Sequence, residues 1–335
     1  MGRGELTSEQ IETMATAIDI AQVTYEAPDL DVMERFMTDF GLTTVLRTER
    51  ALYMRGAGTQ HHLHVTHLAD RQRFVGATFQ VSSQADLDEL AALPGSSPVT
   101  FSEEPGGGWV VKMTHPDGFR IDAIWGREES APLPLRQPNA LNDSVNKPRV
   151  NASTRVKREP CAAIRLGHFV LHVTDHVASV KWMTERFGLL PSDYFAAPAG
   201  VDGIENETNG VPHGFVYGTF LRLNRGEQLV DHHCLLILQS DWVGVHHCSF
   251  EVNDLDAVAG AHDYLVQQGY QLDCGVGRHL MGSQIFDYWK DPFGFRVEHY
   301  TDGDVVDATF QPNVFTGTAG ETTQWGMEPP AEFFQ

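Results

Sequence analysis

The feature that most constrains this chain is that it runs through one plan twice. IAQVTYEAPDLDVMERFMTDFGL, from Ile20, corresponds to GHFVLHVTDHVASVKWMTERFGL, from Gly167: a strand, an Asp-containing turn, an amphipathic helix and a closing Phe-Gly-Leu. ATFQVSSQADLDELAAL, from Ala77, parallels CSFEVNDLDAVAGAHDYL, from Cys248. HPDGFRIDAIWG, from His115, parallels DPFGFRVEHYTDG, from Asp291. Three matches in the same order describe an internal duplication. A duplicated chain folds as two copies of one set of strand–helix units, and 335 residues suffice for two modules of ordinary size, each with its own core. Residues 128–160 are rich in Pro, Asn, Ser and Arg and lack apolar periodicity, which marks a linker. The organisation expected is an N-terminal module over 1–127, this linker, a C-terminal module over 161–305 and a tail over 306–335.

Apolar content of 41% and charged content of 21% fit an ordinary globular protein. A formal net charge of -21 sets up a field that repels nucleic acid and anionic membranes. Cys161, Cys234, Cys248 and Cys274 are scattered, with no CxxC pair, so neither a disulfide framework nor a thiolate metal site is expected. No apolar run approaches the ~20 residues of a membrane span. The opening MGRGELTSEQIETMATAIDI lacks the apolar stretch of a signal peptide, and Leu6 stands where acylation of Gly2 wants Ser or Thr. These features predict a cytoplasmic protein.

Strand phase locates the chemistry. Phe169, Leu171 and Val173 alternate, as do Cys248, Phe250 and Val252, so these positions are expected to face the packed helices. His168, His172, His247 and Ser249 then point to the opposite, concave side, while His246 falls on the wrong face. Glu298, on the last strand after the turn DPFG, shares the phase of Arg296 and Tyr300. Two imidazoles and one carboxylate on one face are the ligand set of a non-haem iron(II) centre, which leaves positions open for substrate and O₂. A strand histidine is ordinarily a hydrogen-bonded core residue, and sixteen histidines make chance pairs easy. What separates His168 and His247 from that background is that they begin matching strands of a repeat.

GHFVLHVTD, HHCSFEVNDLD and FDYWKDPFGFRVEHYTDGD resemble the type I extradiol dioxygenases of the vicinal oxygen chelate superfamily, and the resemblance extends over nearly the whole chain. It implies an α+β fold of two tandem modules, each pairing βαβββ units into an open, cup-shaped mixed sheet. It further implies that the C-terminal cup alone keeps its metal. The repeat places Ala21, Gly76 and Asp122 at the positions of His168, His247 and Glu298, so two of three ligands are absent from the first cup. By the same resemblance His233 is the acid–base residue, with His232 the alternative one register away. Tyr288 and His279 are the groups on the substrate side. The implied reaction opens a catechol-like ring beside its vicinal diol, with Fe(II) as cofactor, Mn(II) accepted by the same ligands, and O₂ as co-substrate. Relatives assemble as homo-oligomers. Met281 and Gly282 depart from the polar residues some relatives carry after the loop histidine, and Pro191–Phe215 lengthens the gap between the first two ligands. Both departures bear on the substrate.

Two other classes fit parts of the pattern. An isomerase, epimerase or lyase would use a divalent metal as Lewis acid, but would not need His233, Tyr288 and His279. A protein that merely sequesters a small molecule would not need a complete ligand set. The tail, with Phe310, Phe315, Trp325 and Phe333 dispersed among Gly, Pro and Thr, has no period. Wrapping over the cup, contact with a neighbouring subunit and partial disorder all stay open for it.

Overall fold

A computed structural model describes residues 15–330 and 332–333 of the protein. The reading of the first residues as free of a signal or acylation site lies outside this range. Four helices are each started by a polar side chain that satisfies the free N–H groups of the first turn. Asp29 caps α1 (Leu30–Phe40), Ser83 caps α2 (Gln84–Ala92), Asp175 caps α3 (His176–Phe187) and Asp254 caps α4 (Leu255–Gln268). The two Phe-Gly-Leu matches are helix ends: Gly41 (φ 114°) and Gly188 (φ 66°) take the left-handed conformation that closes α1 and α3.

The N-terminal sheet comprises β1 (Ala17–Ala27), β2 (Thr43–Arg47), β3 (Ala51–Arg55), β4 (His64–Leu68), β5 (Arg73–Val81), β6 (Thr100–Phe101), β7 (Trp109–Val111) and β8 (Arg120–Trp125). The C-terminal half begins with β9 (Arg165–Val173), β10 (Leu190–Ala196), the ribbon β11 (Asn206–Thr208) and β12 (Val211–His213), and β13 (Val216–Arg222). It continues through β14 (Val230–Asp231), β15 (Leu235–Gln239), β16 (Gly244–Glu251), β17 (Gln271–His279), β18 (Ile285–Lys290) and β19 (Arg296–Thr301). Three short strands follow: β20 (Val305–Val306), β21 (Asn313–Phe315) and β22 (Thr323–Gly326).

The strand orders are β2-β3-β4-β1-β5-β8-β7-β6 and β21-β10-β13-β15-β9-β16-β19-β18-β17-β22. At the centre of each, the duplication reappears as topology. β1 runs parallel to β4 and antiparallel to β5, and β5 runs parallel to β8. β9, β15, β16 and β19 repeat these relations. The fold is thus α+β, two tandem modules of paired βαβββ units, each curled into a cup.

The alternation holds on the convex side: Phe169, Leu171, Val173, Cys248 and Phe250 are in the main core, and Val252 packs with Ala257, Val258 and Ala261 of α4. The two modules do not keep separate cores. One contiguous apolar cluster runs from Val23, Phe40 and Phe79 into Phe169, Phe187 and Phe250. Phe79 packs 4.6 Å from Phe187 and 5.9 Å from Phe169, centroid to centroid. The tail contributes two short strands to the C-terminal sheet. β21 pairs with β10 at one edge of the C-terminal sheet and β22 with β17 at the other, so 316–322 cross the mouth of the cup. The linker has no helix or strand, yet Arg136 pairs with Asp254 and Asn139 donates to Asp256.

Two expectations are corrected by the strand registers. Gln22 pairs with Thr78, which pairs with Asp122; in the other module His168 pairs with Ser249, which pairs with Glu298. Gln22, rather than Ala21, therefore holds the place of His168. The shift arises because α1 has 11 residues and α3 has 12, so a match anchored on Phe-Gly-Leu slips by one along the strand. A β-bulge between Val245 and His247 turns His246 into the cup beside His247. The expected wrong face for His246 is not observed.

Candidate metal centre

Three neighbouring strands at the middle of the C-terminal sheet carry one residue each into the cup: His168 on β9, His247 on β16 and Glu298 on β19. All are buried, and their ligand atoms lie within 4.8 Å of one another. Nε2 of His168 is 3.0 Å and Nε2 of His247 3.3 Å from Glu298 Oε2, and the two nitrogens are 3.2 Å apart. Two cis ligands of an octahedral ion with bonds of about 2.1 Å stand about 3.0 Å apart, whereas a tetrahedral ion spreads them to about 3.4 Å. The sides of the triangle, 3.0, 3.2 and 3.3 Å, fall between these values, the size that ligands of a single divalent ion span. Among the described residues neither Glu298 oxygen has a well-directed hydrogen bond, despite full burial. A buried carboxylate left so is costly unless a cation takes the place of the missing donors. The residues present fit a divalent metal.

The surrounding electrostatics favour the charge states that ligation requires. Burial opposes ionisation of Glu298, yet the imidazoles of His168, His247 and His279 close to its oxygens hold its carboxyl well below the usual carboxylate range. Burial lowers His247 to about 4, leaving a neutral imidazole with a lone pair to donate. His246 Nδ1 is 2.6 Å from His247 Nδ1, the atom that faces away from the triangle. Such a contact fixes the orientation and tautomer of a ligating ring.

Around the triangle stand the remaining residues expected from the sequence. His233 lines the cavity, its ring 4.3 Å from that of His168. Burial, with His168 and His232 nearby, holds it well below the usual histidine range. His232 turns away, its Nε2 2.9 Å from Asp193 Oδ2 and its Nδ1 3.1 Å from His233 Nδ1. Tyr288 lies directly opposite Glu298 in the β18–β19 register and so shares its face. His279, at the end of β17, brings Nε2 to 2.7 Å from Tyr288 Oη. Burial and the Glu298 charge push the Tyr288 phenol well above its ordinary range. Sequence reasoning had no signal for Asp193 behind His232, nor for the cup walls Phe195 and Phe220. An acid in the unpatterned PSDYF looks like surface until the register of β10 places it.

In the N-terminal cup the corresponding floor is hydrogen-bonded internally. Gln22 is 3.0 Å from His62 through its carbonyl and donates to Glu104, which Arg127 also contacts at 3.0 Å. Among the described residues no helix is long and apolar enough to cross a membrane.

Comparison with known proteins agrees with this geometry. The chain is 26% identical over 311 residues to metapyrocatechase 2 of Cupriavidus necator, covering 92% of this chain and 88% of that one. It is 25% identical over 244 residues to 3-methylcatechol 2,3-dioxygenase of Pseudomonas putida, covering 69% and 70%. The Mn(II)-bound glyoxalase from Novosphingobium aromaticivorans superposes with a TM-score of 0.77 over 96% of this chain and 94% of its own, at 22% identity, a likeness of fold. Residues 165–299, nearly the whole C-terminal module, match the Glyoxalase/Bleomycin resistance protein/Dioxygenase superfamily.

Proposed function

We propose that the protein is an extradiol dioxygenase that opens a catechol-like ring beside its vicinal diol. The observation that carries this reading is the buried His168–His247–Glu298 triangle at the floor of a cup ringed by His233, Tyr288 and His279. When bound, iron(II) would supply a template for diol and O₂ and a path for electron density between them. Mn(II) fits the same ligands.

The chain's own residues do the rest. With Nδ1 of His233 turned to His232, its Nε2 is the atom left to take a proton from the diol and later return it. Tyr288 Oη and His279 Nε2, already hydrogen-bonded to one another, are placed to hold a substrate oxygen and fix the ring's orientation. Val170, Phe195, Phe220, Leu236 and Leu238 wall the cavity and keep water from the reacting atoms. Cytoplasmic placement and homo-oligomeric assembly belong to the same reading.

The test is O₂ uptake by iron-loaded protein with a panel of catechols. Uptake accompanied by a coloured ring-opened product, and abolished in His247→Ala and Glu298→Ala, is expected. A second reading, Lewis-acid isomerase or lyase chemistry, is favoured by the likeness to a protein described as a glyoxalase. It predicts turnover of a carbonyl substrate with no O₂ consumed.

A further inference from the structure

The concave face of the C-terminal sheet carries its own apolar cluster, apart from the main core. Val170, Phe195, Phe220, Leu236 and Leu238 are buried together, with Tyr217, Met281 and Phe315 packed against them. These side chains do not hold sheet to helix. They line space. The inner compartment, over the ligand triangle, has a volume of about 50 Å³. A second compartment of about 170 Å³ shares Phe195, Leu238 and Thr322 with it, so the two are adjacent, with these side chains between them. The outer one is closed by Phe315 and by 317–319 of the segment that crosses the cup.

Two properties of this outer space define what it can receive. Among the described residues the outer compartment is lined by no Lys, Arg, Asp or Glu. A carboxylate brought there would lose its hydration and gain no counter-charge, which disfavours it strongly. The walls are also aromatic. Phe195 stands 6.0 Å from Tyr217 with rings nearly parallel, and 5.9 Å from Phe315 edge to face. Such walls favour a flat apolar guest. One polar group is available: His172, 2% exposed, lines the outer compartment with both ring nitrogens lacking a hydrogen-bond partner among the described residues. It is held in place by Trp242, stacked 4.3 Å away. A buried imidazole left in this state calls for a partner from the ligand.

We propose that the outer compartment is a second subsite, and that the substrate is a diol whose ring bears an uncharged aromatic substituent with a neutral oxygen able to hydrogen-bond His172. This rests on the ring-cleaving reading for the reaction itself. The diol ring occupies the small inner space, and its substituent passes Leu238 and Phe195 into the larger one.

The experiment compares catechol, a phenyl-substituted catechol, its hydroxyphenyl analogue and 3,4-dihydroxyphenylacetate, by O₂ uptake with iron-loaded protein. The aryl catechols should exceed catechol in kcat/KM by about tenfold or more, the size of effect an apolar subsite gives, and the carboxylated diol should be the poorest. Phe315→Ala should raise KM for the aryl catechols and leave that of catechol unchanged. His172→Phe should erase the advantage of the hydroxyphenyl over the phenyl compound. Equal turnover of all four diols, or a Phe315→Ala effect shared by catechol, overturns the subsite. Absence of uptake with every diol counts against ring cleavage instead. In that case anaerobic calorimetry with the same four compounds decides the subsite alone: tighter binding of the aryl pair supports it, and equal affinities overturn it.

Discussion

Glu298 concentrates the chemistry of the molecule at one residue. It is fully buried, both its oxygens lack well-directed hydrogen bonds among the described residues, and imidazole nitrogens of His168, His247 and His279 stand 3.0, 3.3 and 3.7 Å away. Glu298→Gln keeps the shape and removes the charge, so metal content should fall from one ion per chain to below about a tenth, read by elemental analysis; unchanged content would place the metal elsewhere. A group of the opposite character is Asp291, whose carboxyl burial raises from 3.8 to about 7, although the N–H groups of Phe293 and Phe295 donate to it. Because the folded pKa lies above the unfolded one, the folded state holds the proton between the two values. Stability from this group is present below about 4 and is lost as pH rises towards about 7. Asp291→Asn, which mimics the protonated form, should therefore gain in Tm relative to the parent between pH 5 and about pH 8, and a constant difference would contradict this. At this scale the sequence was informative where alternation was regular: His168, His247 and Glu298 are where their strand phase put them. It misplaced Ala21 for Gln22 because α1 is one residue shorter than α3, and it turned His246 outward because that residue sits at a bulge, which inserts a residue without leaving a signature in side-chain pattern.

Among the elements, caps and ends bind the modules together. Gly41 terminates α1 with φ 114°, and a Cβ there would lie 1.8 Å from the carbonyl oxygen of Cys161, at the start of the second module. Gly41→Ala should cost about 1–3 kcal/mol or more by chemical denaturation, from left-handed strain and the clash together. The helices were legible because their caps are: Asp29, Ser83, Asp175 and Asp254 precede apolar periodic runs. The tail strands were not. β21 and β22 are three and four residues long, and what makes them strands is pairing with β10 and β17, a tertiary fact that local sequence does not carry.

The whole molecule behaves as two cups around one apolar interior. Phe40 stacks 3.7 Å from His299, whose Nε2–H donates to the Phe40 carbonyl, and Tyr264 and Tyr270 both donate to Asp39 across the modules. Continuous packing of this kind predicts a single cooperative thermal transition by calorimetry. Phe79→Ala, which removes a ring touching both Phe169 and Phe187, should lower stability by about 3–5 kcal/mol while leaving that transition single. Two separated transitions would instead mean that the modules unfold independently. In this arrangement the first cup, with Gln22 and Gly76 at the places of the two ligating histidines, packs against the second, which brings His168, His247 and Glu298 together. The most direct test of the account is turnover of a catechol under ¹⁸O₂ by the iron-loaded protein, with mass spectrometry of the ring-opened product. Both atoms of one O₂ molecule in the product are predicted; an unlabelled product formed without O₂ uptake would contradict ring-cleaving oxygenation and leave Lewis-acid chemistry at the same centre.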